Sequence, residues 1–160
     1  KELKEKNEKH IAGIESDAGG LVPRGFSFEK KEFLDVAKTW SALFKPYNIH
    51  YFELGGSGAD IGQLSKDTDG ALIGFVPDNQ RYFDFHHSEA DIFENVNRRE
   101  LELGAATISS LIYLIDKYGG EARKNEIIIE LCLVVTHKNP IWKMATTTYI
   151  TVVLRSERFS

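Results

Sequence analysis

Residues 10–20 read His10-Ile11-Ala12-Gly13-Ile14-Glu15-Ser16-Asp17-Ala18-Gly19-Gly20. The apolar run His10–Glu15 stops abruptly at acidic and small residues, the signature of a buried strand followed by a loop. Working outward, apolar residues recur at Phe33, Val36, Ala37, Trp40, Leu43 and Phe44, which predicts one helix between Phe28 and Phe44, stopped by Pro46. Ile49–Leu54 predicts a strand that runs into the loop Gly55-Gly56-Ser57-Gly58-Ala59-Asp60. Ala71–Val76, bounded by Gly70 and Pro77, predicts an interior strand. The aromatic stretch Arg81–His87 leads into a polar loop. A second helix is expected over Arg98–Tyr118, with Asn97 and Glu100 as a capping box and Gly119 as its stop. Strands alternating with helices make this an α/β chain. The last stretch differs: Glu126–Thr136 and Met144–Leu154 are β-branched runs around Lys138-Asn139-Pro140, which predicts a β-hairpin.

The 160 residues, 42% hydrophobic and 28% charged, suit one globular domain with a core of useful size. A net charge of −4 argues against a nucleic-acid partner, which asks for a basic patch. The charged run Lys1–Lys9 mixes both signs without an apolar stripe and reads as a solvated edge. One cysteine, Cys132, excludes an intrachain disulfide framework and a cysteine zinc cluster; within the apolar run Ile127–Val135 it reads as a buried inert thiol. No apolar segment is long enough to span a bilayer, and no signal peptide opens the chain, an absence without weight if the chain begins inside a longer protein. Leu21-Val22-Pro23-Arg24-Gly25 looks like a protease site from an expression linker, but it is embedded in natural-looking sequence and is read as native.

Three places could carry chemistry. Asp17 ends the first strand at a glycine-containing loop, where α/β sheets present ligands; an aspartate there also simply forms turns. His86 and His87, followed by Ser88-Glu89-Ala90-Asp91, pair imidazoles with nearby carboxylates, as metal sites do; a histidine pair without a ligand is the alternative. Asp60 either contacts a ligand or satisfies backbone amides. Gly55, Gly56 and Gly58 lack the lysine and helix of a phosphate loop.

At these residues the chain resembles a known family. Glu15-Ser16-Asp17-Ala18-Gly19, followed by Pro23 and Gly25, is similar to the ESD-AG…P-G segment of carboxypeptidase-Q-type zinc peptidases, within the larger family of dinuclear zinc aminopeptidases. Gly58-Ala59-Asp60-Ile61 resembles their G-x-D-I loop, and Phe85-His86-His87-Ser88-Glu89-Ala90-Asp91 their F-H-H-S/T-x-x-D motif. Order and spacing agree over about residues 7–118. The resemblance implies part of a three-layer αβα sheet domain over residues 1–118; residues 119–160, where the hairpin is expected, form a tail without a recognised counterpart in the family. It also implies a secreted or periplasmic parent that removes single residues from peptides, using two zinc ions that activate a shared water.

Carried over position by position, Asp17 would be a ligand of one zinc and His87 of the other. Asp91 would fix the loop that holds His87. His86 would donate a hydrogen bond to the tetrahedral intermediate, and Asp60 would lie near the substrate. The family's other histidine, bridging aspartate, glutamate base and glutamate ligand precede the ESD segment. Here sixteen residues precede Asp17, with His10 and Glu15 the obvious donors among them. Two ligands on different metals do not make a catalytic zinc site, so the chain alone is expected to be inactive. Rival readings are a non-catalytic binding module on the same fold, as in transferrin-receptor-type relatives, and a glutaminyl-cyclase-like enzyme. Without the preceding strands, the strand bearing Asp17 would expose an edge and invite self-association, unless the tail hairpin covers it.

Overall fold

The apolar run at residues 10–15 forms the C-terminal part of strand β1 (Lys9–Glu15) in a computed structural model that describes residues 9–66, 68–119, 127–128 and 152–156. Three further strands follow: β2 (Pro23–Phe28), β3 (Tyr51–Leu54) and β4 (Ala71–Pro77). Helix α1 (Lys31–Phe44) lies between β2 and β3, the single turn α2 (Tyr82–Phe85) follows β4, and α3 (Arg98–Tyr118) is the longest element. Two short tail strands, β5 (Ile127–Ile128) and β6 (Val152–Ser156), complete a mixed sheet of order β3-β2-β4-β1-β6-β5.

The central strand is β4, the strand expected to be interior. It runs parallel to β1 (Ala12 opposite Ala71, Glu15 opposite Gly74) and antiparallel to β2 (Phe28 opposite Ile73). Flanked on both sides, it is buried at all but one of its positions, as a continuous apolar strand should be. Along the sheet, Ala12, Ile14, Phe26, Phe28, Phe52, Ile73 and Phe75 alternate onto one face. There they join Leu34, Ala37 and Phe44 of α1 and Ile108, Leu111, Ile112 and Leu114 of α3 in one core. Phe26 is its centre, with ring centroids 6.0 Å from both Phe52 and Phe75 and 6.2 Å from Phe44 in edge-on contacts.

Both long helices therefore cover one face. The other face carries Glu15, Ser27 and Gly74, and the loop 55–61 lies across it: Ser27 Oγ donates to the Gly56 carbonyl at 2.6 Å, and buried Ser57 donates to Glu29 Oε1 at 2.5 Å. The α/β class thus holds. Among the described residues, a loop and the 3-10 segment Ile61–Lys66 stand where a three-layer domain would place a second helical layer.

Helix α3 has the boundaries expected of it. Asn97 Oδ1 accepts the Glu100 N–H at 3.2 Å, and the Gly119 N–H closes the last turn on Ile115 O at 2.9 Å. Helix α1 starts three residues later than expected, because Phe28 is drawn into β2 opposite Ile73 and Leu54. Strand β2 itself was not expected. It contains the linker-like Pro23-Arg24-Gly25, with Pro23 and Gly25 buried, which fits the native reading of that stretch. The outer edge of β1, expected to lack a neighbour unless the tail supplied one, is paired antiparallel with β6 (Ala12 opposite Leu154, Ile14 opposite Val152). Strands β5 and β6 are themselves antiparallel. The expected hairpin turn at Lys138–Pro140, and Cys132, fall in 129–151, outside the described residues.

Candidate active site

The parallel strands β1 and β4 end side by side, and the segments that continue from their ends meet in one cleft. From the end of β1 come Asp17 and the loop Ala18–Leu21; from beyond β4 come Tyr82, Phe85, His86, Asp91 and Asn95. Open α/β sheets characteristically bind ligands at the carboxyl ends of parallel strands. The enclosed space is about 90 Å³, far below the several hundred Å³ of a pocket that surrounds its ligand. These residues line a shallow cleft rather than an enclosure.

The segment after β4 is fixed by local bonds. Asp78 accepts the Gln80 N–H at 3.1 Å and starts the 3-10 turn Asn79–Arg81, which passes directly into α2. Arg24 of β2 holds the same carboxylate with Nε at 3.1 Å and Nη2 at 2.7 Å, and this ion pair keeps the Asp78 carboxyl below its ordinary pKa. After α2, the His86 N–H donates to Tyr82 O at 2.9 Å. Ser88 Oγ donates to Phe85 O at 2.8 Å and accepts the Ala90 N–H at 3.2 Å, while the Asp91 N–H donates to Ser88 O at 3.1 Å. Asn95 Nδ2 closes the loop on Ala90 O at 2.8 Å. The loop carrying the histidines is thus rigidly tied, and His87 is held in it at φ 53°, a left-handed conformation uncommon for a residue with a side chain.

Asp17, His86 and Asp91 line the cleft together. His87 stands beside them: its ring centroid lies 4.0 Å from that of His86, at 59°, but it is not among the lining residues. Asp60 does not join the group. It sits in the loop over the far face of the sheet, where its own N–H and that of Ile61 donate to the Glu15 carboxylate at 3.1 and 2.9 Å. This contact is made through the Asp60 backbone and belongs to neither reading of its side chain. Glu15 is 2% exposed and its oxygens are occupied by these amides, so it offers no further metal donor. His10 lies in β1 and lines a separate small cavity beside Gly13 and Ile61.

Among the described residues, no three His, Cys, Asp or Glu side chains converge where they could hold a metal ion. The zinc implied by the resemblance is not accommodated by these residues alone. They offer a carboxylate at Asp17 and an imidazole at His87, short of the three or four protein ligands zinc takes.

Tyr82 was not singled out in the sequence. Its ring stacks on His86, centroids 4.5 Å apart at 24°. Burial raises its phenol pKa, and the nearby charges of Asp17 and Asp91 raise it further, so the hydroxyl keeps its proton at neutral pH. The signal available was the spacing: an aromatic residue and a histidine four apart share one side of a helical turn.

Comparison with known proteins gives a partial likeness. The chain is 29% identical over 104 residues to carboxypeptidase Q of Bos taurus and, equally, to that of Homo sapiens; the match covers 64% of this chain. Carboxypeptidase Q of Mus musculus is 26% identical over 109 residues, 67% of the chain. The chain spans 22–23% of the length of these relatives. No family model matches it, and no solved structure matches it significantly.

Proposed function

We propose that this chain is part of an exopeptidase of the carboxypeptidase-Q type, contributing one wall of the active site. The observation that supports this most is the cleft: Asp17, His86 and Asp91 come from distant parts of the sequence, yet the parallel pair β1–β4 delivers them to one place. The order of the three motifs and the partial likeness to carboxypeptidase Q point the same way. In this reading Asp17 and His87 are donors to zinc held jointly with groups outside the described residues, and the metal supplies an activated water. His86 presents a ring N–H towards the reacting carbonyl, and Asp91 and Ser88 hold the loop in place. Asp60 anchors its loop on Glu15 through its backbone N–H. A secreted or periplasmic parent belongs to the same reading.

The shortage of converging metal donors among the described residues favours a second reading, a binding module that keeps the fold without hydrolysis. One chimera separates the two. The aligned 104 residues of human carboxypeptidase Q are replaced by their counterparts from this chain, and hydrolysis of an unblocked dipeptide is followed. The peptidase reading expects activity that chelator removes and that Asp17→Ala and His87→Ala each reduce at least a hundredfold, the scale on which losing a metal ligand or its orientation acts. A folded chimera that hydrolyses nothing would leave the binding-module reading standing.

A further inference from the structure

His86 is exposed, and among the described residues its ring takes part in no hydrogen bond. An exposed imidazole held only at its backbone exchanges rotamers on a fast timescale. Its restraint here is aromatic. Tyr82 lies flat against it at 4.5 Å and 24°, Phe83 meets it edge-on at 6.2 Å and 84°, and His87 flanks it at 4.0 Å. Of these three, only Tyr82 lines the cleft, half-buried between the two strand ends and fixed by the turn that follows Asp78. Phe83 is 82% exposed and is a poor support.

We infer that Tyr82 is a positioning residue: its ring face selects the one His86 rotamer that keeps the imidazole against the cleft wall. The backbone supplies the geometry. Tyr82 and His86 are four residues apart across the single turn α2, and the His86 N–H to Tyr82 O bond sets the two side chains one above the other. A stacked aromatic pair is strong enough to favour one rotamer by about threefold to tenfold. What His86 does once positioned rests on the peptidase reading; that Tyr82 positions it does not. The role belongs to the ring and not to the hydroxyl, so phenylalanine should replace tyrosine and leucine should not.

The test uses the whole 160-residue chain with ring-labelled histidine, at fixed pH, with neither metal nor peptide present. Stacking on Tyr82 places the His86 ring protons in its shielding cone, so they should resonate upfield of those of His50, an exposed histidine in the segment leading into β3. Tyr82→Phe should keep that shift and Tyr82→Leu should abolish it. Carbethoxylation by diethyl pyrocarbonate, mapped by mass spectrometry, should run about threefold to tenfold faster at His86 in Tyr82→Leu, with His50 unchanged and Tyr82→Phe equal to the parent. An unshifted His86 in the parent chain overturns the inference whether or not the leucine variant folds. So does a Tyr82→Phe variant that loses the shift. Because no metal or substrate enters, a failed peptidase assay and a failed stacking test are separate results.

Discussion

Glu15 and Asp17 stand two positions apart at the end of one strand and have opposite tasks. Asp17 is exposed at the cleft, whereas Glu15 is sealed under the loop 55–61, where the N–H groups of Asp60 and Ile61 donate to its carboxylate. Gly58 makes this possible. It sits at φ 133°, and a Cβ there would overlap the Glu15 carboxyl group. Two substitutions should therefore fail by the same route. Glu15→Ala strands two amides and should cost about 2–3 kcal/mol; Gly58→Ala should cost about 2 kcal/mol or more through clash and strain. Gly56→Ala, where a Cβ meets nothing within 4 Å, should stay within about 0.5 kcal/mol of the parent. Denaturant unfolding measures all three; equal stability of the Gly58 and Gly56 variants would contradict the anchored loop. None of this was legible in the sequence. A glutamate at a strand end reads as solvent-facing because carboxylates are rarely buried, and nothing local announces amide donors supplied by a loop far along the chain. The anchoring role of Asp60 was hidden for the same reason: its side chain drew notice, but its backbone N–H makes the contact with Glu15.

The elements were easier to read where their signals are local. Helix α3 was legible to the residue because its cap, its periodicity and its terminal glycine all lie within its own span. Strand β4 was legible from an apolar run between Gly70 and Pro77. Strand β2 was not, since its proline and glycine are poor strand formers; pairing on both sides, with β3 and β4, overrides those propensities. Its arginine also serves the site, through the pair with Asp78 that fixes the start of the histidine-bearing segment. The sign of the pH dependence is set by the depressed Asp78 carboxyl. A carboxylate with a lowered folded-state pKa adds stability above its unfolded value, about 3.9, and that contribution is lost as pH falls through the lower folded value. Melting temperatures across pH should show Asp78→Asn below the parent at neutral pH, with the two converging as acid protonates the Asp78 carboxylate. A gap that persists unchanged into acid would mean that the carboxylate charge is not what Arg24 uses.

At the scale of the molecule, the sheet, with both long helices on one face among the described residues, brings the candidate residues to one cleft. The α/β class and the candidate residues at the cleft were legible because strand ends and motifs are written in order along the chain. The meeting of Asp17 with His86 and Asp91 depends on the parallel pairing of β1 with β4, and no local pattern encodes that. The number of metal donors is likewise a three-dimensional quantity. In the described residues it falls short of a zinc site, even though each motif looks like part of one. The central claim is that this chain lends a carboxylate and an imidazole to a metal site that it does not build. Zinc titration of the purified chain by calorimetry, with Asp17→Ala and His87→Ala alongside, addresses it most directly. Weak or undetectable binding, little changed by either substitution, is the expected result. Tight uptake of two zinc ions, lost in both variants, would contradict it and show that the chain completes the site by itself.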